Sequence, residues 1–146
     1  MRNSIVSIII SVIMLFISLI VLPTYFVGVI QWRDDMNTCQ TAARNFVDMV
    51  IDNGQINERA VTDLNLSLGG CYSTFTYEVY REEKITNPSG TSWVYVDIED
   101  DTVWRTGDIV TIEITQEGSN IFQRISSMLL GTSYQKVSVR LAGMVR

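Results

Sequence analysis

Few residues in this 146-residue chain have types and spacing that do chemistry. Histidine is absent, which removes the commonest general base and the commonest zinc ligand together. Ser, Asp and Lys occur without a nucleophile elbow, a phosphate-binding loop or a paired acid and base. No catalytic residue, no cofactor and no enzyme activity is therefore expected. Cys39 and Cys71 are the only cysteines, and they lack CxxC spacing, which makes a poor redox site. In an oxidising compartment they are the candidate disulfide, with buried free thiols as the alternative. Closing the 31 intervening residues would contribute about 3 to 4 kcal/mol by constraining the unfolded chain. Asp97, Glu99, Asp100 and Asp101 form a dense carboxylate run whose oxygens suit calcium. The run lacks the Asp-x-Asp-x-Asp-Gly order of a regular loop site, so a solvated acidic turn is the expectation and calcium the alternative. Tyr72, Phe75, Tyr77, Tyr80, Trp93, Tyr95 and Trp104 offer either sheet packing or a stacking surface for a carbohydrate-like ligand.

The elements that must position these groups begin with an anchor. No charged residue occurs from Ile5 to Ile30. At 1.5 Å per residue such a run spans about 39 Å, more than the roughly 30 Å of bilayer hydrocarbon. It exceeds a secretory h-region and no Ala-x-Ala-like site follows, so a retained single-pass membrane helix is expected rather than a cleaved signal. Pro23, Tyr25, Phe26 and Trp32 resemble an interfacial girdle. Ser7 and Ser11 form a small-xxx-small pair that lets another helix approach closely, although serines are also simply tolerated in such helices. Arg2 precedes the span, whereas Arg33 is followed at once by Asp34 and Asp35, so the N-terminus is expected inside and the remainder outside the membrane. After the apolar run ten Lys/Arg face sixteen Asp/Glu, a net −6 that argues against nucleic acid as a partner.

The chain divides into an anchor over 1–31 and an extracytoplasmic α+β domain over 32–146. Met36, Cys39, Ala43, Phe46 and Val50 place an apolar stripe on a helix that continues out of the membrane, ended by Asp52-Asn53-Gly54. Asn57 caps a second short helix that stops at Gly69-Gly70. From Tyr72 the pattern turns to alternation, with Phe75, Tyr77 and Val79 on one face. Further strands are expected over 92–98, 108–115 and 134–145. Ile121, Phe122, Ile125, Met128 and Leu129 mark a short amphipathic helix closed by Gly131. The economical assembly lays the long helix across one face of a small, mostly antiparallel sheet, with the two short helices covering its remaining edges.

Ala43-Arg44-Asn45-Phe46-Val47-Asp48, Gly54-Gln55-Ile56, Gly107-Asp108-Ile109-Val110 and Leu141-Ala142-Gly143-Met144-Val145, in this order and spacing, resemble the minor pilin-like or pseudopilin-like (TadE-like) proteins of tight-adherence (Tad) pilus loci in Gram-positive anaerobes. The resemblance implies a structural subunit held in the bacterial cytoplasmic membrane by its N-terminal helix. Its implied partners are the lipid bilayer and other pilin-like subunits or a pilus assembly platform, in a homo- or hetero-oligomer or a surface filament. The chain departs from type IV pilins at its start, where no Gly precedes Ser4 and position 5 is Ile. The alternative from another class is a membrane-anchored binding or sensing module that uses its acidic and aromatic surfaces.

Overall fold

A computed structural model describes residues 2–96, 103–131, 133–134 and 136–146. The chain is α+β: helices α1 (Arg2–Phe16), α2 (Leu22–Asn53) and α3 (Glu58–Gly69), strands β1 (Thr74–Asn87), β2 (Gly90–Val96) and β3 (Ile109–Glu117), helix α4 (Ile121–Leu130) and strand β4 (Ser138–Met144). It forms two compact units, Met1–Arg33 with Ser119–Gln135, and Asp34–Gly118 with Lys136–Arg146. The first unit thus joins to the anchor a stretch that the division at 31/32 assigns to the outer domain.

In the first unit, α1 passes into α2 through a π-helical segment, Ile17–Val21. Pro23 supplies the cause, since it lacks an N–H and its ring crowds the carbonyl four residues back. The chain answers by widening the preceding turn: the Leu22 N–H donates to Ile17 O, and the Thr24 hydroxyl donates to Ile20 O at 2.7 Å. The helix therefore runs unbroken from Ser4 to Asn53, and it is long and apolar enough to cross a membrane, with none of its most apolar window buried. Pro23 does not end it. The same unit contains α4, which starts on a capping box: Gln123 N–H donates to Asn120 Oδ1 at 2.8 Å and Asn120 N–H to Gln123 Oε1 at 2.9 Å. Gly131, in the left-handed region at φ 64°, closes it as expected.

The second unit is built on a fully antiparallel sheet of order β2-β1-β3-β4. Register decides which side chains meet. Val79 lies opposite Ile112, and Ile112 opposite Leu141; Tyr77 lies opposite Ile114, and Ile114 opposite Val139. Val110, Ile112 and Ile114 are fully buried, as their alternation requires. The apolar stripe of α2 is also buried at Cys39, Ala42, Ala43, Phe46, Val47 and Val50, and α3 adds Ala60, Leu64 and Leu68. Helix α2 comes close to β4 at Gly143, where a Cβ would lie 2.5 Å from both Val47 Cγ1 and Ile51 Cδ1. Asn57 caps α3 through its side chain, accepting from Ala60 N at 2.8 Å.

Two elements differ from the sequence reading. Strand β4 begins at Ser138 and not at Tyr134, because the Val137 N–H donates to the Gln116 side chain at 3.2 Å while the Gln116 N–H takes the Val137 carbonyl, interrupting the regular ladder. Helix α4, expected with the sheet domain, groups with the N-terminal helix, packing through Phe122 against Tyr25 and Trp32 at ring separations of 5.2 and 5.8 Å.

Candidate functional site

No constellation of catalytic type is assembled among the described residues, and the features that bear on function are an exposed apolar helix, a buried clamp at the root of the sheet and an aromatic surface. Ser7 and Ser11 lie one turn apart on α1, both exposed among exposed Ile, Val and Leu side chains. That surface has the small-xxx-small form that permits close helix approach.

The clamp is made by Asp35. Its carboxylate is 2% exposed and accepts from Tyr72 N–H at 2.7 Å and Ser73 N–H at 2.9 Å, so one side chain on α2 fixes the backbone entering β1. Charge-assisted bonds of this kind are about twice as strong as neutral ones. One turn on, Cys39 meets Cys71. The structure brings the two expected partners together, with both as free thiols. Cys39 donates its thiol hydrogen to Cys71, and Cys71 donates to Ser67 O at 3.7 Å. Burial, first, and then the nearby Cys71 sulfur and Asp35 push the Cys39 thiol up to about 12, and burial with Asp35 pushes Cys71 up as well. Both shifts make the thiolate scarce at neutral pH. At pH 8 both thiols are expected to alkylate more slowly than free cysteine, Cys39 the slower. A mass-spectrometric time course with iodoacetamide checks this, and labelling of Cys39 at the rate of free cysteine would contradict it.

A second buried node ties the strands together. Arg81 on β1 donates through Nε at 3.1 Å and Nη2 at 2.7 Å to Asp108 Oδ2, which also accepts from Arg105 N–H at 2.9 Å. The guanidinium lies 5.5 Å from the ring centroid of buried Trp104, whose backbone N–H donates to Gly54 O at 2.7 Å. Asp108 O in turn accepts from Val145 N–H at 2.8 Å. The node therefore joins β1, the approach to β3, the end of β4 and the turn after α2.

Of the seven aromatics Tyr72 is exposed ahead of β1, and the other six separate by burial and face. Phe75 and Tyr77 are half-buried on the face carrying Val79, and Trp104 is in the core. Tyr80, Trp93 and Tyr95 share the opposite face, where Tyr80 and Tyr95 pack edge to face at 6.2 Å and Arg140 Nη2 donates to Tyr95 Oη at 3.5 Å. The Tyr80 hydroxyl donates to Glu78, and that bond holds its proton on to higher pH than usual. Thr111, opposite Tyr80 and Ala142, is buried on this face, so the outer surface is partly packed rather than uniformly solvated. Asp97, Glu99, Asp100 and Asp101, the calcium candidate, lie outside the described residues. Among the described residues no group of three His, Cys, Asp or Glu is placed to hold a metal ion.

Sequence reasoning brought Cys39 to Cys71 and the stripe of α2 to the sheet. It missed Asp35, the Arg81–Asp108 pair, Gly143 and Gly28, where a Cβ would lie 2.8 Å from Phe122 Cβ. The available signals were indirect: a carboxylate one turn before Cys39 on the apolar stripe, and an Arg interrupting the inward alternation after Val79. Comparison with protein-family models, with curated proteins and with solved structures returns no match for this chain.

Proposed function

We propose that the chain is a minor pilin-like, pseudopilin-like structural subunit of a tight-adherence or type IV pilus-like filament or secretion machine. It is anchored in a bacterial cytoplasmic membrane with its N-terminus inside and its α+β domain outside. One observation carries this reading. A single unbroken helix, Ser4–Asn53, presents an apolar first half that is exposed from Ser4 to Ile20 and gives its second half to the core of a small sheet domain. A helix of that kind places subunit contacts in lipid at its first half. The test follows from close approach at Ser7 and Ser11. Ser11→Phe is expected to weaken association of the anchors about tenfold, the equivalent of ~1.4 kcal/mol, read by energy transfer between labelled chains in vesicles. Unchanged transfer would remove the basis for anchor-driven assembly.

A second reading, a membrane-anchored binding module, is favoured by the clustering of Tyr80, Trp93 and Tyr95 on one sheet face. On that reading Trp93→Ala abolishes the fluorescence response to soluble cell-wall glycans and leaves association of the anchors intact. A parent chain with no response to those glycans would count against it.

A further inference from the structure

Helix α4 has a large apolar surface that its own unit leaves uncovered. Phe122 packs inward, whereas Met128, Leu129 and Leu130 are 84%, 73% and 72% exposed and Ile121 is exposed beside them. Where α4 is held is fixed by Gly28. A Cβ at that position would lie 2.8 Å from Phe122 Cβ and 2.9 Å from Phe122 N, so only glycine lets the backbone of α4 come this close. Gly28 belongs to the uncharged run that ends at Trp32, about 6 Å further along the helix axis. The start of α4 is thus pinned at the edge of the segment that is long enough to cross a bilayer.

Charge points to the same surroundings. Met1–Arg33 and Ser119–Gln135 together contain Arg2, Arg33 and Arg124 and not one carboxylate, while all sixteen Asp/Glu lie in the other unit. A short amphipathic helix with a bulky apolar face, a basic residue and no acid beside it is the form that lies in a lipid interface.

We propose that α4 is an interfacial membrane helix, its Met128–Leu130 face inserted among the acyl chains of the leaflet from which α2 emerges, so that the protein holds the membrane at two places. This rests on the anchor reading above. The occupant of the apolar face is lipid and not a second copy of the chain, because α4 is held through Phe122 against Gly28, within the run long enough to cross a bilayer, and its unit carries no acid.

Full-length chain reconstituted in mixed phosphatidylcholine and phosphatidylglycerol vesicles tests it. An added indole is read as the fluorescence difference from the parent in three variants: Leu129→Trp, Ile13→Trp within the anchor and Thr91→Trp at the exposed β2 hairpin. The expected result for Leu129→Trp is about twofold quenching by lipids brominated in the upper acyl chain, with little quenching by aqueous iodide. Thr91→Trp should show the reverse. Met128→Trp repeats the measurement at a neighbouring site in case one variant is disturbed. Iodide access at 129 with bromolipid quenching at 13 would overturn the inference and leave the anchor standing. Iodide access at both would overturn both readings, and shielding at 129 from both quenchers would overturn it in favour of contact with a second copy.

Discussion

Asp108→Ala is expected to cost about 3 to 5 kcal/mol of unfolding free energy, because it leaves a buried guanidinium with no counter-charge. Arg81 and Asp108 are both nearly inaccessible, and the carboxylate accepts three bonds, two from Arg81 and one from the Arg105 backbone. Removing it exposes none of these donors to water unless the loop bearing Trp104 moves. The effect should therefore appear both as lost stability and as a change in Trp104 fluorescence. Asp108→Asn keeps an acceptor without the charge and should fall between. The double replacement Arg81→Met/Asp108→Leu separates net worth from mere breakage: an apolar pair of similar volume is expected to recover most of the loss, since the buried pair repays little beyond its own desolvation. Urea titration of detergent-solubilised full-length chain measures all three. A loss below about 1 kcal/mol for Asp108→Ala would mean that water replaces the carboxylate at little cost.

How far the sequence reaches is visible in where this pair escaped it. Alternation over Phe75, Tyr77 and Val79, and over Val110, Ile112 and Ile114, carries the local signal of a half-buried strand, and those elements lie where the pattern places them. Asn57 and Gly131 mark helix ends through chemistry confined to a single turn. The Arg81–Asp108 contact has no such local signal. It joins residues 27 apart through the register that sets Arg81 opposite Val110, and register is a property of the assembled sheet. Gly28 and Gly143 escaped for the same reason, since a glycine chosen for close approach looks like any other until its neighbour is known. Periodicity also reports that α4 has an apolar face without saying what meets it. In the structure Phe122 of that face packs against Tyr25 and Trp32.

Asp35→Ala should cost about 3 kcal/mol, since hydrogen bonds to a charged acceptor are worth about 1.5 to 3 kcal/mol each and two are lost. Tyr72 and Ser73 would keep their amides at the root of β1 with no partner from α2. Asp35→Asn retains one acceptor oxygen and is expected to lose about half as much. The substitution also alters the thiols beside it, in a direction that can be worked out. Cys39 is pushed from the ordinary thiol value of 9.0 to about 12 in the folded chain, first by burial and in smaller part by the Asp35 charge. A group whose pKa rises on folding supports the fold below its unfolded pKa, and that support is lost as pH climbs through the folded value. The parent chain should accordingly lose stability from about pH 9 toward pH 12, as the unfolded state ionises and the folded state does not. Without the Asp35 charge the folded thiols ionise at lower pH, so the variant starts less stable but declines less steeply over the same window. Urea midpoints measured between pH 8 and pH 11 therefore distinguish a carboxylate that acts on both backbone and thiols from one that serves the backbone alone, for which the two chains would lose stability in parallel.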